Sequence, residues 1–101
     1  MKLTVKERIA AMNTLPTEGN YITFKIILTL RTALSFSEVE IKRYKIVIKG
    51  DLVTWDLSKK EEKDIDFGDK GKEIMCNALH DLDAKGKIND GNSSLYEKFI
   101  L

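Results

Sequence analysis

One cysteine, one histidine and one proline are all that the whole chain holds of those three residue types. The lone Cys76 excludes an internal disulfide, so nothing in the sequence points to secretion. Cys76 and His80 lie one helical turn apart and share a face. Zinc wants four ligands, however, and beyond these two the chain offers only the oxygens of Asp81 or Asp83. The same scarcity leaves no nucleophile–base–orienter set to read. Cys76 also sits mid-helix, away from the helix N-terminus that activates a thiol. Gly68-Asp69-Lys70-Gly71-Lys72 has two glycines ahead of a lysine, but not at the spacing of a phosphate-binding loop. No apolar run reaches the roughly 20 residues that cross a bilayer. The opening MKLTVKERIAAM mixes charge into its apolar pattern, unlike a signal peptide. The expectation is a cytoplasmic protein that is not an enzyme, with no cofactor, no metal and no membrane contact.

What is present is ordinary for a globular chain. The 101 residues make one domain, 1–101, with 43% hydrophobic and 33% charged residues. Charge is uneven. Residues 1–50 carry nine Lys/Arg against four Glu, a balance of +5, while residues 51–101 carry eight Lys against twelve acids, a balance of −4. Such asymmetry steers partners or pairs copies head to tail; the plainer reading, which is preferred, is that the halves neutralise each other within one fold.

The longest apolar run is Tyr21–Leu34. Alternation along it suits a strand, but its length, and Gly19-Asn20 before it, favour a helix. Read so, Lys25, Thr29 and Thr32 form a narrow polar stripe on a central helix buried on nearly all sides. Before it, Thr4 and Glu7 make a capping box for a helix over 4–15 that Pro16 stops. After it, Ser37 and Glu40 make a second box for a helix from Glu38 to Tyr44. Ile46–Ile48 and Leu52–Trp55, joined by Lys49-Gly50-Asp51, read as a β-hairpin. Ser58–Lys63 is a charged loop, and Asp64–Phe67 alternates as a third strand that covers the hairpin edge or leads into the next helix. Asp69–Lys85 is the last long helix, closed by Gly86 with Ile88 behind it. Ser94 and Glu97 suggest a third box for a terminal helix bearing Leu95, Tyr96, Phe99 and Ile100. The fold class is therefore α+β: an N-terminal bundle of three helices, a hairpin or small three-stranded antiparallel sheet, a long helix and a short C-terminal helix.

Two constellations compete with a purely structural reading. Asp81, Asp83, Gly86 and Ile88 match four positions of a calcium-binding loop, but Lys85 and Asn92 stand where ligands belong, and a helix C-cap explains Gly86 without metal. The order helix, helix, short helix, hairpin is that of a winged helix, with Lys42, Arg43, Lys45 and Lys49 as nucleic-acid contacts. Glu38 and Glu40 at the reading end of the third helix, and the lack of a basic excess, oppose it.

The chain resembles a group of small uncharacterised bacteriophage and prophage proteins of about its length. The resemblance rests on Thr4-Val5-Lys6-Glu7-Arg8-Ile9, Leu15-Pro16 with Glu18-Gly19, Leu34-Ser35-Phe36-Ser37-Glu38, Thr54-Trp55 and Ser94-Leu95-Tyr96-Glu97-Lys98-Phe99. It implies a virus-derived accessory or regulatory protein of the bacterial cytoplasm, and brings no site residues with it. The function expected is non-enzymatic: binding a protein partner or a second copy, as a homodimer, through Tyr96, Phe99 and Ile100. The rival is a winged-helix regulator using helix 38–44 and hairpin 46–55.

Overall fold

Helix α1 (Val5–Thr14) starts where its T-x-x-E pattern places it. In the computed structural model, which describes residues 1–58 and 61–101, Glu7 N donates to Thr4 Oγ1 at 3.2 Å and Thr4 N donates to Glu7 Oε1 at 2.9 Å. Leu15 then turns extended ahead of Pro16. Asn20 caps α2 (Tyr21–Leu34) by accepting from Thr23 N. The second capping box opens α3 (Glu38–Tyr44), with Glu40 N donating to Ser37 Oγ and Ser37 N to Glu40 Oε1. Helix α4 (Gly68–Ala84) has no side-chain cap at Phe67; Asp66 accepts from Gly68 N instead, and Gly68 adopts a left-handed φ of 64°. Its far end is a Schellman turn: Lys87 N donates to Leu82 O, Gly86 N donates to Asp83 O, and Gly86 supplies the left-handed residue.

The last helix, α5 (Ser93–Ile100), corrects one expectation. Ser94 and Glu97 form no capping box. The Asn89–Asn92 turn starts the helix earlier, with Asn92 Oδ1 accepting from Asn89 N and Asn89 O accepting from Ser93 N. The Ser94 side chain lies near the Glu7 carboxyl of α1 and helps to lower it.

The strands form two separate antiparallel pairs. β2 (Val47–Lys49) and β3 (Leu52–Thr54) make the expected hairpin, Val47 opposite Thr54 and Lys49 opposite Leu52, around Gly50 at a φ of 60°. The alternating segment after residue 60 does not cover the hairpin edge. Its strand, β4 (Lys63–Asp64), pairs with an unforeseen β1 (Lys2–Leu3). This pairing drives Leu3, Ile65 and Phe67 into the core. The charged loop Ser58–Lys63 lies outside the described residues at positions 59 and 60; beyond them, Glu61 and Lys63 form ion pairs with Arg43 and Glu40.

The fold is α+β, as expected, but the N-terminal helices do not close their own bundle. The close helix contacts are α1 with α2, α4 and α5, α2 with α4, and α4 with α5. One core joins them, built on Leu30, Leu34, Met75, Leu79 and Leu95 with Phe67 and Leu15. Gly71 lets α4 pack tightly on α2: a Cβ there would lie 3.1 Å from Leu30 Cδ2. Helix α3 and the hairpin stand outside this body on a smaller cluster of Val5, Tyr44 and Ile46, with Phe36, Val53 and Trp55 against it.

Helix α2 is not buried on nearly all sides. Only Ile27, Leu30 and Leu34 are buried, because α1 and α4 cover one side and no described element covers the other.

Candidate interaction surface

The surface begins with a buried arginine. Arg8 sits on α1 at 1% exposure. Its Nε donates to Leu34 O at 3.2 Å and its Nη2 to Ser35 O at 2.6 Å, so a cation meets the carbonyl end of α2. Its Nη1 donates to Glu40 Oε2 at 2.6 Å, and the guanidinium lies 4.0 Å from the centre of the Phe36 ring. The glutamate that caps α3 is therefore also the counter-ion that holds α3 against α1. The Arg8 hydrogen bond lowers the Glu40 carboxyl to about 2 against partial burial, aided by Ser37 N and Lys63.

Glu7, the other capping-box acid, is used in the same way. Lys98 Nζ on α5 donates to Glu7 Oε1, Glu62 Oε2 and Lys2 O, all within 2.8 Å. Burial raises the Glu7 carboxyl, but the bonds from Lys98 and Thr4 N outweigh burial and leave it below its ordinary value. No buried side-chain nitrogen or oxygen among the described residues lacks a partner.

These clamps leave two apolar surfaces open. On α2, Tyr21 and Ile22 are 74% and 73% exposed, and Phe24 and Leu28 are also exposed. Tyr21, Phe24 and Leu28 follow i, i+3, i+7 spacing and make one stripe. Beside it, an open groove of about 640 Å³ runs between the starts of α2 and α4, lined by Tyr21, Ile22, Ile26, Lys70 and Ile74 among others. Thr29 and Thr32 turn their hydroxyls back to Lys25 O and Leu28 O. Neighbouring exposed apolar side chains of this kind commonly mark contact sites.

The second surface is the hairpin and α3. Ile48 and Leu52 are 70% and 62% exposed, Val47 and Val39 are exposed as well, and none of β2 is buried. Lys42, Lys45 and Lys49 are exposed and have no ion pair among the described residues. Arg43 does: its Nη2 lies 2.6 Å from Glu61 Oε1. Lys45 is held at a φ of 53°, the left-handed position that glycine usually fills.

The terminal-helix residues expected at a contact face are instead partly spent inside the fold. Tyr96, Phe99 and Ile100 pack against the main core, Phe99 edge-on to Phe67 with centroids 4.9 Å apart. Tyr96 Oη donates to Asp83 Oδ2. The calcium-like residues diverge, because Asp81 pairs with Lys85 and Asp83 with Tyr96. Cys76 Sγ is 3.7 Å from Phe99 O and faces α5, while His80 is exposed edge-on to Tyr96.

Sequence reasoning missed Arg8 and the Tyr21–Phe24–Leu28 stripe. The signal for the stripe was present: the polar line Lys25, Thr29, Thr32 marks the water side of α2, and the three apolar residues flank it. Arg8 carried no local signal, since its partners Leu34, Ser35 and Glu40 are far along the chain. The chain matches no protein-family model, no curated protein and no solved structure, so the phage-protein resemblance rests on its sequence pattern alone.

Proposed function

We propose that the chain is a non-enzymatic accessory protein of the bacterial cytoplasm, of the phage or prophage type, that works by binding another protein or a second copy of itself. The observation that carries this is the uncovered apolar area: Tyr21, Ile22, Phe24 and Leu28 on α2, and Val39, Val47, Ile48 and Leu52 on α3 and the hairpin. Exposed apolar stripes at helical spacing are how helices present themselves to partners. No described helix is long and apolar enough to cross a membrane. A photo-crosslinking side chain placed at Leu28 or Leu52 in cells is expected to give discrete protein adducts, or a dimer, that are absent from a control at Glu18. Absence of adducts at every exposed apolar position would overturn the proposal.

One observation favours the rival. Glu40 faces Arg8 and not solvent, so only Glu38 opposes phosphate at the start of α3, while Lys42, Lys45 and Lys49 stay open. Duplex binding at low salt that is lost in Lys42/Arg43/Lys45/Lys49→Ala would establish it.

A further inference from the structure

We infer that the hairpin binds an extended, acidic segment of a different protein, which adds to the free edge of β2 as a third strand. The inference rests on the protein-binding reading above and names the partner chemistry for one of its two surfaces.

Neither strand of the hairpin has a second neighbour among the described residues, so each has one unpaired edge of backbone donors and acceptors. β2 is the more exposed strand, open at all of Val47, Ile48 and Lys49. Cations flank β2 on the chain, Lys45 at its base and Lys49 at its tip with Val47 between, while the acids lie on the other arm, Asp51 in the turn and Asp56 past β3, where it accepts from Ser58. Cross-strand pairing then selects the incoming side chains. An acid opposite Lys49 and an apolar residue opposite Val47 are each favourable, and a lysine opposite Lys49 is not.

Apart from its own hairpin edges, a second copy does not supply this segment, and edge-to-edge pairing of two copies, read as a dimer by light scattering without peptide, would overturn the inference. Outside the hairpin, the acidic half of this chain exposes only Leu57 and Leu101 among its large apolar residues, and its alternating stretch is already used, Lys63 and Asp64 in β4 with Ile65 and Phe67 in the core. A nucleic acid fits the lysines but not Val47, Ile48 and Leu52, which would be left facing phosphates.

Lys45 makes the case testable. It holds a backbone position where glycine is less strained, so replacing it with glycine removes a charge without adding backbone strain. Lys45→Gly is expected to stabilise the protein while it weakens partner binding, and misfolding cannot produce that opposed pair of changes.

The test is fluorescence anisotropy with a labelled short peptide that alternates Glu and Val with Thr between them. Its controls are the same peptide with Lys for Glu, the same with Ser for Val, and a random duplex. The acidic–apolar peptide is expected to bind at least about tenfold more tightly than each control. Val47→Ser and Lys49→Glu are expected to weaken it about fivefold or more. The Ile48 amide, which points to the free edge of β2, should gain exchange protection in the complex, while those of Val47 and Lys49, already directed at β3, should change less. Tighter binding of the duplex, equal binding of all peptides, or no peptide binding would each overturn the inference. Adducts at Leu28 without peptide binding would sink the hairpin inference alone; no adducts at any position would sink the reading beneath it.

Discussion

The helical body and the α3–hairpin lobe are built by different physics. The body buries a continuous apolar core across α1, α2, α4 and α5. The lobe buries only Tyr44 and Ile46, against Val5 of α1, and its main tie to the body is one arginine that satisfies two carbonyls and a carboxylate, with Lys63 and Glu61 pairing beside it. Apolar burial is non-directional and tolerates repacking. A buried charged clamp is directional, and losing one partner strands the other. The body is thus a scaffold, and the lobe is held at a defined place with its outer face free.

The sharpest way to break that comparison is Arg8→Met. It leaves Glu40 with only the more distant Lys63 and the end of α2 without its donors, and should cost about 3–5 kcal/mol in urea unfolding. Amide exchange should rise first at Tyr44 and Ile46, ahead of Met75 and Leu79; uniform loosening would show that the lobe is not a separate unit.

Acid probes the same clamp. The folded Glu40 carboxyl is held at about 2, below its ordinary 4.5. Its contribution is therefore complete above about pH 4.5 and is lost as pH falls from there toward about 2, by an amount on the order of 3 kcal/mol. Glu7 is lowered too and adds in the same direction. Glu40→Gln should flatten the stability curve in this acid window and leave only the smaller slope from Glu7 and other carboxylates. An unchanged curve would mean that the pair carries no linkage.

Truncation separates the regions by size of effect. Leu79→Ala in the body should cost about 2–5 kcal/mol, whereas Leu52→Ala on the exposed hairpin should change stability by about 0.5 kcal/mol or less. Comparable losses at the two sites, measured by thermal unfolding, would refute an uncovered hairpin face. Gly71→Val should cost about 1–3 kcal/mol by forcing α4 away from Leu30; a neutral result in the same measurement would mean that the α2–α4 contact relaxes freely. The smallest effect has the opposite sign. Lys45→Gly should stabilise the fold by about 1 kcal/mol by relieving the left-handed backbone, and a loss of stability would show that the lysine side chain holds the lobe.

Much of the fold was legible because its signals are local. Thr4/Glu7 and Ser37/Glu40 are four-residue patterns, and both boxes form. Pro16 and Gly86 act on their immediate neighbours, and both ends lie where those residues put them. Ser94/Glu97 failed because the same pattern competed with a preceding asparagine turn that set the helix start first. β1 was illegible, since two residues show no alternation and their partner strand lies some 60 positions away. At the candidate surface, the open lysines were visible as a charge run, but Arg43 proved to be taken by Glu61. The apolar terminal helix implies docking, on its own body or on a second subunit, but a helix of this kind shows nothing of which; Tyr96, Phe99 and Ile100 pack partly against the main core.

By itself, the sequence determined where the chain turns helical, where it stops and where it folds back as a hairpin, because caps, proline and glycine act over a few residues. The polar line Lys25, Thr29, Thr32 marked the water side of Tyr21–Leu34, but only the tertiary structure decided how wide that side is, since a helix that is apolar nearly all round contains no record of how many neighbours will cover it. It also decided that the two capping glutamates face Arg8 and Lys98, because ion pairs of that kind depend on distances between segments far apart in the chain.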